Sequence, residues 1–126
     1  MEKDYVSFEI AKLIKEKTDF NIPTEYRPLL PWFFCMYDEN GEIHWGYYDK
    51  DWYPAVPYSI ILRWLREKGI CITAVYGDYP ALNKIFWTPQ IDSIEGFDLP
   101  NDFYKDYDEY EDAIEAALKY YLENLI

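Results

Sequence analysis

The sequence predicts an α+β domain in which four mainly antiparallel strands, built as two hairpins, alternate with three helices in the order α-ββ-α-ββ-α. Three observations predict it. Apolar residues recur at helical spacing in three separate stretches, β-branched and aromatic runs come in pairs between those stretches, and a turn signal stands inside each pair. At 126 residues the chain has the usual length of one domain, 1–126, able to bury a core without disulfides or metals.

In the first helix, residues 7–17, Val6, Ile10, Leu13 and Ile14 form the buried stripe behind Ser7 or Asp4 as cap, while Glu9, Lys12, Lys15 and Glu16 take the other face. The next stretch, TDFNIPTEYRPLLP, carries Pro23, Pro28 and Pro31 and cannot continue a helix. It reads as an ordered connector pinned by Phe20, Ile22, Leu29 and Leu30. WFFCMY and EIHWGYY then flank DENG, whose Asp at the first place and Gly at the fourth suit a type I turn followed by a left-handed residue. A two-residue loop at Asn40-Gly41 is the alternative, and it would shift the pairing by one residue. In either register both hairpin faces carry aromatics. A helix can cover one face, so the other must meet another element, a ligand or a partner.

DKDWYPAVP is a second proline-marked connector, followed by PYSIILRWLREKG, a helix with Pro57 at its first turn and Gly69 just beyond its end. Tyr58, Ile61, Leu62 and Leu65 make its buried stripe, with Arg63, Arg66, Glu67 and Lys68 on the wet side. Ile70 to Tyr76 reads as a strand, GDYPAL as a turn, and Lys84 to Ile91 as the returning strand, in which Pro89 marks an edge or a bulge. The two hairpins are expected to form one sheet with the helices mainly on one face. The last helix buries Tyr110, Ala113, Ile114, Ala117, Leu118, Tyr121, Leu122 and Leu125, and Asp106 or Asp108 is expected to cap it, with Glu109 or Glu111 completing a capping box.

Composition narrows the function classes. Half the residues are hydrophobic and 21% aromatic, which excludes disorder by composition. The formal charge is −12, and residues 92–126 hold eleven Asp/Glu against Lys105 and Lys119, net −9. Such a field repels nucleic acid and anionic membrane, because phosphate binding needs clustered Lys and Arg. The N-terminal stretch lacks the apolar centre of a secretion signal and no window has the length of a membrane span, so a cytoplasmic location is expected. Cys35 and Cys71 each sit in an apolar strand-like run and read as two buried free thiols, a disulfide between neighbouring strands being the alternative.

Bond chemistry finds little material. His44, the single histidine, lies mid-strand, and a Cys/His catalytic pair would need a low thiol pKa where burial raises it. No cofactor is expected: the five glycines are scattered singly, so there is no phosphate loop. No metal site is expected either, since no close pair of Cys or His exists and the acidic run lacks the glycine-centred loop of a calcium site, adventitious Ca²⁺ at Asp98, Asp102 or Asp106 apart. Asp49 and Asp51 beside Trp52 and Tyr53 have the makings of a sugar-cleaving carboxylate pair, against the plainer reading of an exposed turn.

The leading expectation is therefore a non-enzymatic protein-interaction module. Its candidate surface is the acidic, tyrosine-rich stretch with Asp98, Asp102, Tyr104, Asp106, Tyr107 and Asp108, facing a basic protein partner. Helix capping and the helix dipole account for part of that acid, but not for its continuation upstream through Asp92, Glu95, Asp98 and Asp102. A second reading is a nucleotide- or sugar-binding domain using Trp45, Tyr47, Trp52 and Tyr53, with Trp32, Tyr48 and Trp87 as further rings. A third is a homodimer through an uncovered sheet face.

Three blocks, SFEIAKLIKEK, YPAVP before WLREKG, and YEDAIEAALKYYL, resemble in order and spacing a set of small uncharacterised proteins encoded by gut Bacteroidetes and their phages. Together the blocks cover somewhat under half the chain. The set usually introduces its central helix with proline, alanine and threonine, where this chain has Val56, Pro57 and Tyr58. The resemblance carries no activity, cofactor or site residue. It implies a cytoplasmic accessory protein that binds a host or viral macromolecule.

Overall fold

A computed structural model describes residues 4–21, 33–94 and 96–126. The prolines of the first connector, its expected pins Ile22, Leu29 and Leu30, and Trp32 and Glu95 lie outside the described residues. The chain is α+β, with three helices and two small antiparallel sheets among the described residues, and it divides into two compact units, Met1–Ile60 and Ile61–Ile126.

The first unit opens with helix α1, Phe8–Lys17, whose cap is Ser7: its hydroxyl accepts the Ile10 N–H at 3.3 Å. Val6, Ile10, Ala11 and Ile14 are buried, one stripe at helical spacing. Strands β1, Phe33–Tyr37, and β2, Ile43–Tyr47, form the first hairpin, pairing Met36 with His44 and Tyr37 with Ile43. The loop is a type I turn closed by the Gly41 N–H to the Asp38 carbonyl at 3.0 Å, with Gly41 at φ +85°. This selects the DENG register over the two-residue loop at Asn40-Gly41. Glycine is required at 41 twice over, because a Cβ would also lie 2.9 Å from Phe8 Cδ2.

A fifth strand, β3, Tyr53–Pro54, pairs with Met36 and Tyr37, so the sheet order is β2-β1-β3. In place of the expected four strands in one sheet, the described residues form five strands in two sheets. The extra strand falls in what reads as a plain proline connector; an edge position tolerates Pro54, whose missing N–H the ladder does not need. Phe8 of α1 packs on Tyr37 and Tyr53, each ring centroid 5.7 Å away. The Tyr37 hydroxyl donates to the Val6 carbonyl at 2.6 Å, and the Val6 N–H to the Val56 carbonyl at 2.9 Å. Val6, just before α1, is in this way tied to β1 and to the residue two past β3.

Helix α2, Tyr58–Glu67, spans the boundary between the units, with Ile60, Ile61, Leu62 and Leu65 buried and Gly69 at φ +87° just past its end. In the second unit, β4, Ile70–Tyr79, and β5, Lys84–Ser93, pair over their full ten residues, joined through a 3-10 turn at Pro80–Leu82. Both strands run longer than the apolar pattern suggests: Asp78 and Tyr79 extend β4, so the turn is PALN and not GDYPAL. Opposite Phe86, Gly77 leaves room for that ring to lie across the backbone; a Cβ there would sit 2.3 Å from Phe86 Cζ. Helix α3, Tyr110–Asn124, packs on both strands and buries Ala113, Ile114, Ala117, Leu118 and Leu122. The underlying sheet face supplies Ile72, Pro89 and Ile91, all buried, with Ile72 and Ile91 directly opposite one another.

Cys35 is buried, as expected, and burial pushes its thiol up to about 11. Cys71 is only half-buried, because its side of β4 is the face without α3. Both thiols are free. No helix among the described residues is long and apolar enough to cross a membrane.

Candidate functional site

The acidic stretch before α3 is fixed to the second sheet instead of serving as a solvated helix start. Tyr107 forms a short antiparallel bridge with Trp87 on the outer edge of β5. The Asp106 carboxylate accepts from the Thr88 hydroxyl at 3.2 Å through Oδ1 and from the Tyr79 hydroxyl at 3.4 Å through Oδ2. Asp108 lies 3.8 Å from Lys84 Nζ with its side chain 85% exposed. Neither Asp106 nor Asp108 caps α3. The cap position belongs to Glu109, which makes no side-chain cap hydrogen bond, because the chain reaches the helix from the β5 edge and Asp106 is already spent on Thr88 and Tyr79.

Around this segment the sheet presents rings. Tyr76 meets Trp87 edge-on at 5.4 Å, Trp87 meets Tyr110 at 5.2 Å, and Tyr79 stacks on Phe86 at 4.8 Å. Tyr76, Tyr79, Tyr104 and Tyr110 are all exposed. Asp98, Asp102, Asp106, Asp108 and Asp112 are exposed as well, while Tyr107 is half-buried by its pairing. Lys105 and Lys119, the two cations of residues 92–126, line one open cleft of about 320 Å³ together with Asp102, Phe103, Tyr120 and Glu123. Within that cleft Lys119 pairs with Glu123 at 3.9 Å. Tyr79 and Thr88 complete this surface but carry no signal in the sequence, since only the fold sets them beside residue 106, and Trp87, a candidate ligand-binding ring by sequence, is instead paired with Tyr107.

The four candidate ligand-binding aromatics, Trp45, Tyr47, Trp52 and Tyr53, are divided between two sheet faces. Tyr53 pairs with Tyr37 and Trp45 with Cys35, which puts Trp45, Tyr47 and Tyr53 on the α1 side. There Tyr5 meets Trp45 at 6.5 Å, and Lys15 Nζ lies 5.0 Å from the Tyr53 ring. Tyr47 is 76% exposed. Trp52 sits on the opposite side against His44, ring centroids 4.8 Å apart, with its indole N–H donating to Glu39 at 3.1 Å. No single concave site gathers the four. Asp49 and Asp51 build the turn that precedes Trp52: Asp49 Oδ1 accepts the Asp51 N–H at 2.9 Å, and the Asp49 carbonyl accepts the Trp52 N–H at 3.1 Å.

His44 has a partner that sequence spacing does not reveal. Its Nε2 lies 2.7 Å from Asp38 Oδ2. Asp38 Oδ1 accepts the N–H groups of Asn40 at 2.8 Å and Glu42 at 3.0 Å, and Asp38 is buried although polar. These donors, the Glu42 N–H first, then His44 and the Asn40 N–H, hold the Asp38 carboxyl below its ordinary value, against the upward pull of burial. Among the described residues, Asp38, Glu42 and His44 are the one set whose donor atoms, one from each, all lie within 4.8 Å of one another. Asp98, Asp102 and Asp106 form no such set.

Comparison with known protein families, with curated proteins and with solved structures returns no match.

Proposed function

We propose that the protein is a non-enzymatic interaction module of accessory type, acting in the cytoplasm, whose second unit receives a basic protein partner on residues 98–112. One observation carries this reading: the carboxylates of the segment are exposed while its backbone is fastened to β5 at Tyr107 and its position is held by Asp106. An acidic array held on a sheet edge has lost its conformational freedom before binding, so a partner does not meet that cost. Exposed tyrosines on either side add rigid contact area with two side-chain torsions each. The resemblance of the helical blocks to small uncharacterised proteins of gut Bacteroidetes and their phages implies an accessory, macromolecule-binding context and is in keeping with this reading.

The test is affinity against ionic strength for a partner isolated by affinity purification. Binding should weaken at least about tenfold between roughly 0.05 and 0.5 M salt, as the screening length shortens from about 14 Å to about 4 Å. Combining Asp102→Asn, Asp108→Asn and Asp112→Asn should flatten that dependence without unfolding the protein, because all three side chains are exposed. Affinity indifferent to salt would remove the electrostatic surface from consideration.

A further inference from the structure

We infer that the first hairpin carries a site for a divalent transition-metal ion, with Asp38, Glu42 and His44 as its protein ligands. Pairing places them together. The Asp38 N–H donates to the Glu42 carbonyl at 2.9 Å just beyond the paired ends of β1 and β2, so the two residues stand opposite each other, and His44, two positions further on within β2, lies on the same face. The Asp38 carboxylate is divided between two tasks: Oδ1 closes the turn through two N–H groups, and Oδ2 is held facing the imidazole. Trp52 fixes the plane of that imidazole by lying against it, and Trp52 is itself anchored by Glu39 on its indole nitrogen and Lys15 Nζ on its carbonyl at 2.7 Å. Two of the donors are therefore oriented before any ion arrives.

The donor set selects the kind of ion. One imidazole nitrogen with two carboxylates suits Zn²⁺, Ni²⁺ or Cu²⁺, whereas Ca²⁺ and Mg²⁺ need six or more oxygen donors. Three protein donors leave the remaining positions to water, and the His44 side chain, 44% exposed, gives access from solvent. Binding at Nε2 needs the lone pair of that nitrogen, so the neutral ring binds as its Nδ1–H tautomer and Asp38 exchanges its hydrogen bond with Nε2 for a bond to the ion. The competing account is that Asp38 and His44 only brace the hairpin. That account gives Glu42 no task, and its exposed side chain makes no hydrogen bond or ion pair among the described residues.

Glu42→Gln is thus the deciding variant, since it leaves the Asp38–His44 pair and the Glu42 backbone contacts in place. Calorimetric titration with Zn²⁺ should give one site in the wild type, weakened at least about tenfold in Glu42→Gln and abolished in His44→Ala, with no saturable heat from Mg²⁺. Circular dichroism of both variants confirms the fold. Absence of a one-site Zn²⁺ isotherm, or an isotherm of equal strength in Glu42→Gln, overturns the site; the second result would mean scattered acids or the bare His44 hold the ion adventitiously.

Discussion

Tyr107 pairs with Trp87 through two backbone hydrogen bonds, the Trp87 N–H to the Tyr107 carbonyl at 2.7 Å and the Tyr107 N–H to the Trp87 carbonyl at 2.8 Å. One rung of a third strand is enough to occupy the outward polar groups of β5 at its most aromatic point. It also decides where the acidic segment lies, because residues 106 and 108 on either side of the rung then meet Thr88 and Lys84.

Replacing Tyr107 with proline removes the donor of one of those bonds and leaves the Trp87 carbonyl unpaired. The expected loss is about 1–3 kcal/mol in urea unfolding. Hydrogen exchange gives a sharper readout: the Trp87 amide, protected in the wild type, should exchange at the rate of an exposed loop in Tyr107→Pro. Unchanged protection of Trp87 would show that the rung does not hold the segment.

How much of this was legible beforehand follows from what each element depends on. The stripes Val6-Ile10-Ile14, Ile61-Leu62-Leu65 and Ala113-Ile114-Ala117-Leu118-Leu122 are local patterns, and all three helices fall where those patterns put them. Asp38 and Gly41 likewise announce the turn that fixes the first hairpin. Strand β3 was not readable, because two residues ending in proline have no periodicity and their pairing depends on the distant Met36 and Tyr37. The cap of α3 misled for a related reason: Asp106 has the right type and spacing, but the tertiary partners Thr88 and Tyr79 took its carboxylate first. Asp38, Glu42 and His44 became a set only once the register set them on one face. The acidic surface was legible as composition, and its attachment to β5 was not.

The two close-packed glycines should respond differently to alanine. At Gly41 the positive φ costs an L-residue about 1–2 kcal/mol, and the Phe8 ring that a Cβ would meet is confined between Tyr37 and Tyr53. Gly77 has an extended backbone, and although the Cβ would fall closer to its ring, Phe86 lies on the face without α3, beside an exposed Tyr79, and can swing away. Gly77→Ala should then cost only the Tyr79–Phe86 stack, about 0.5–1.5 kcal/mol. Urea midpoints should rank wild type above Gly77→Ala above Gly41→Ala, and a reversed order would show Phe86 to be the more tightly held ring.

The two thiols should separate under native alkylation. With its pKa at about 11, Cys35 is thiolate in only about one molecule in a thousand at pH 8, and its side chain is buried. Cys71 is half-buried on the face without α3. Iodoacetamide at pH 8 should label Cys71 first, with Cys35 following only in urea, as read by mass spectrometry of the peptides. Equal native labelling would mean the first sheet opens far more often than its packing suggests.

The Asp38 carboxyl sets one part of the acid sensitivity. Its ordinary value is 3.8, and the folded state lowers it through the Glu42 N–H, the His44 side chain and the Asn40 N–H. A carboxyl depressed by folding binds its proton less well in the native than in the unfolded state. Its stabilising contribution is therefore complete above the unfolded value, and it disappears as pH falls from there through the lower folded value. Asp38→Asn retains an oxygen for the Asn40 and Glu42 N–H groups but loses the charge that faces His44. The variant should be less stable than the wild type at neutral pH, and the gap in urea midpoint should close as pH drops below 3.8, where the wild-type carboxyl takes up its proton and comes to resemble the amide. A gap that stays constant from neutral to acid would mean the charge contributes nothing and that Asp38 acts through its turn hydrogen bonds alone.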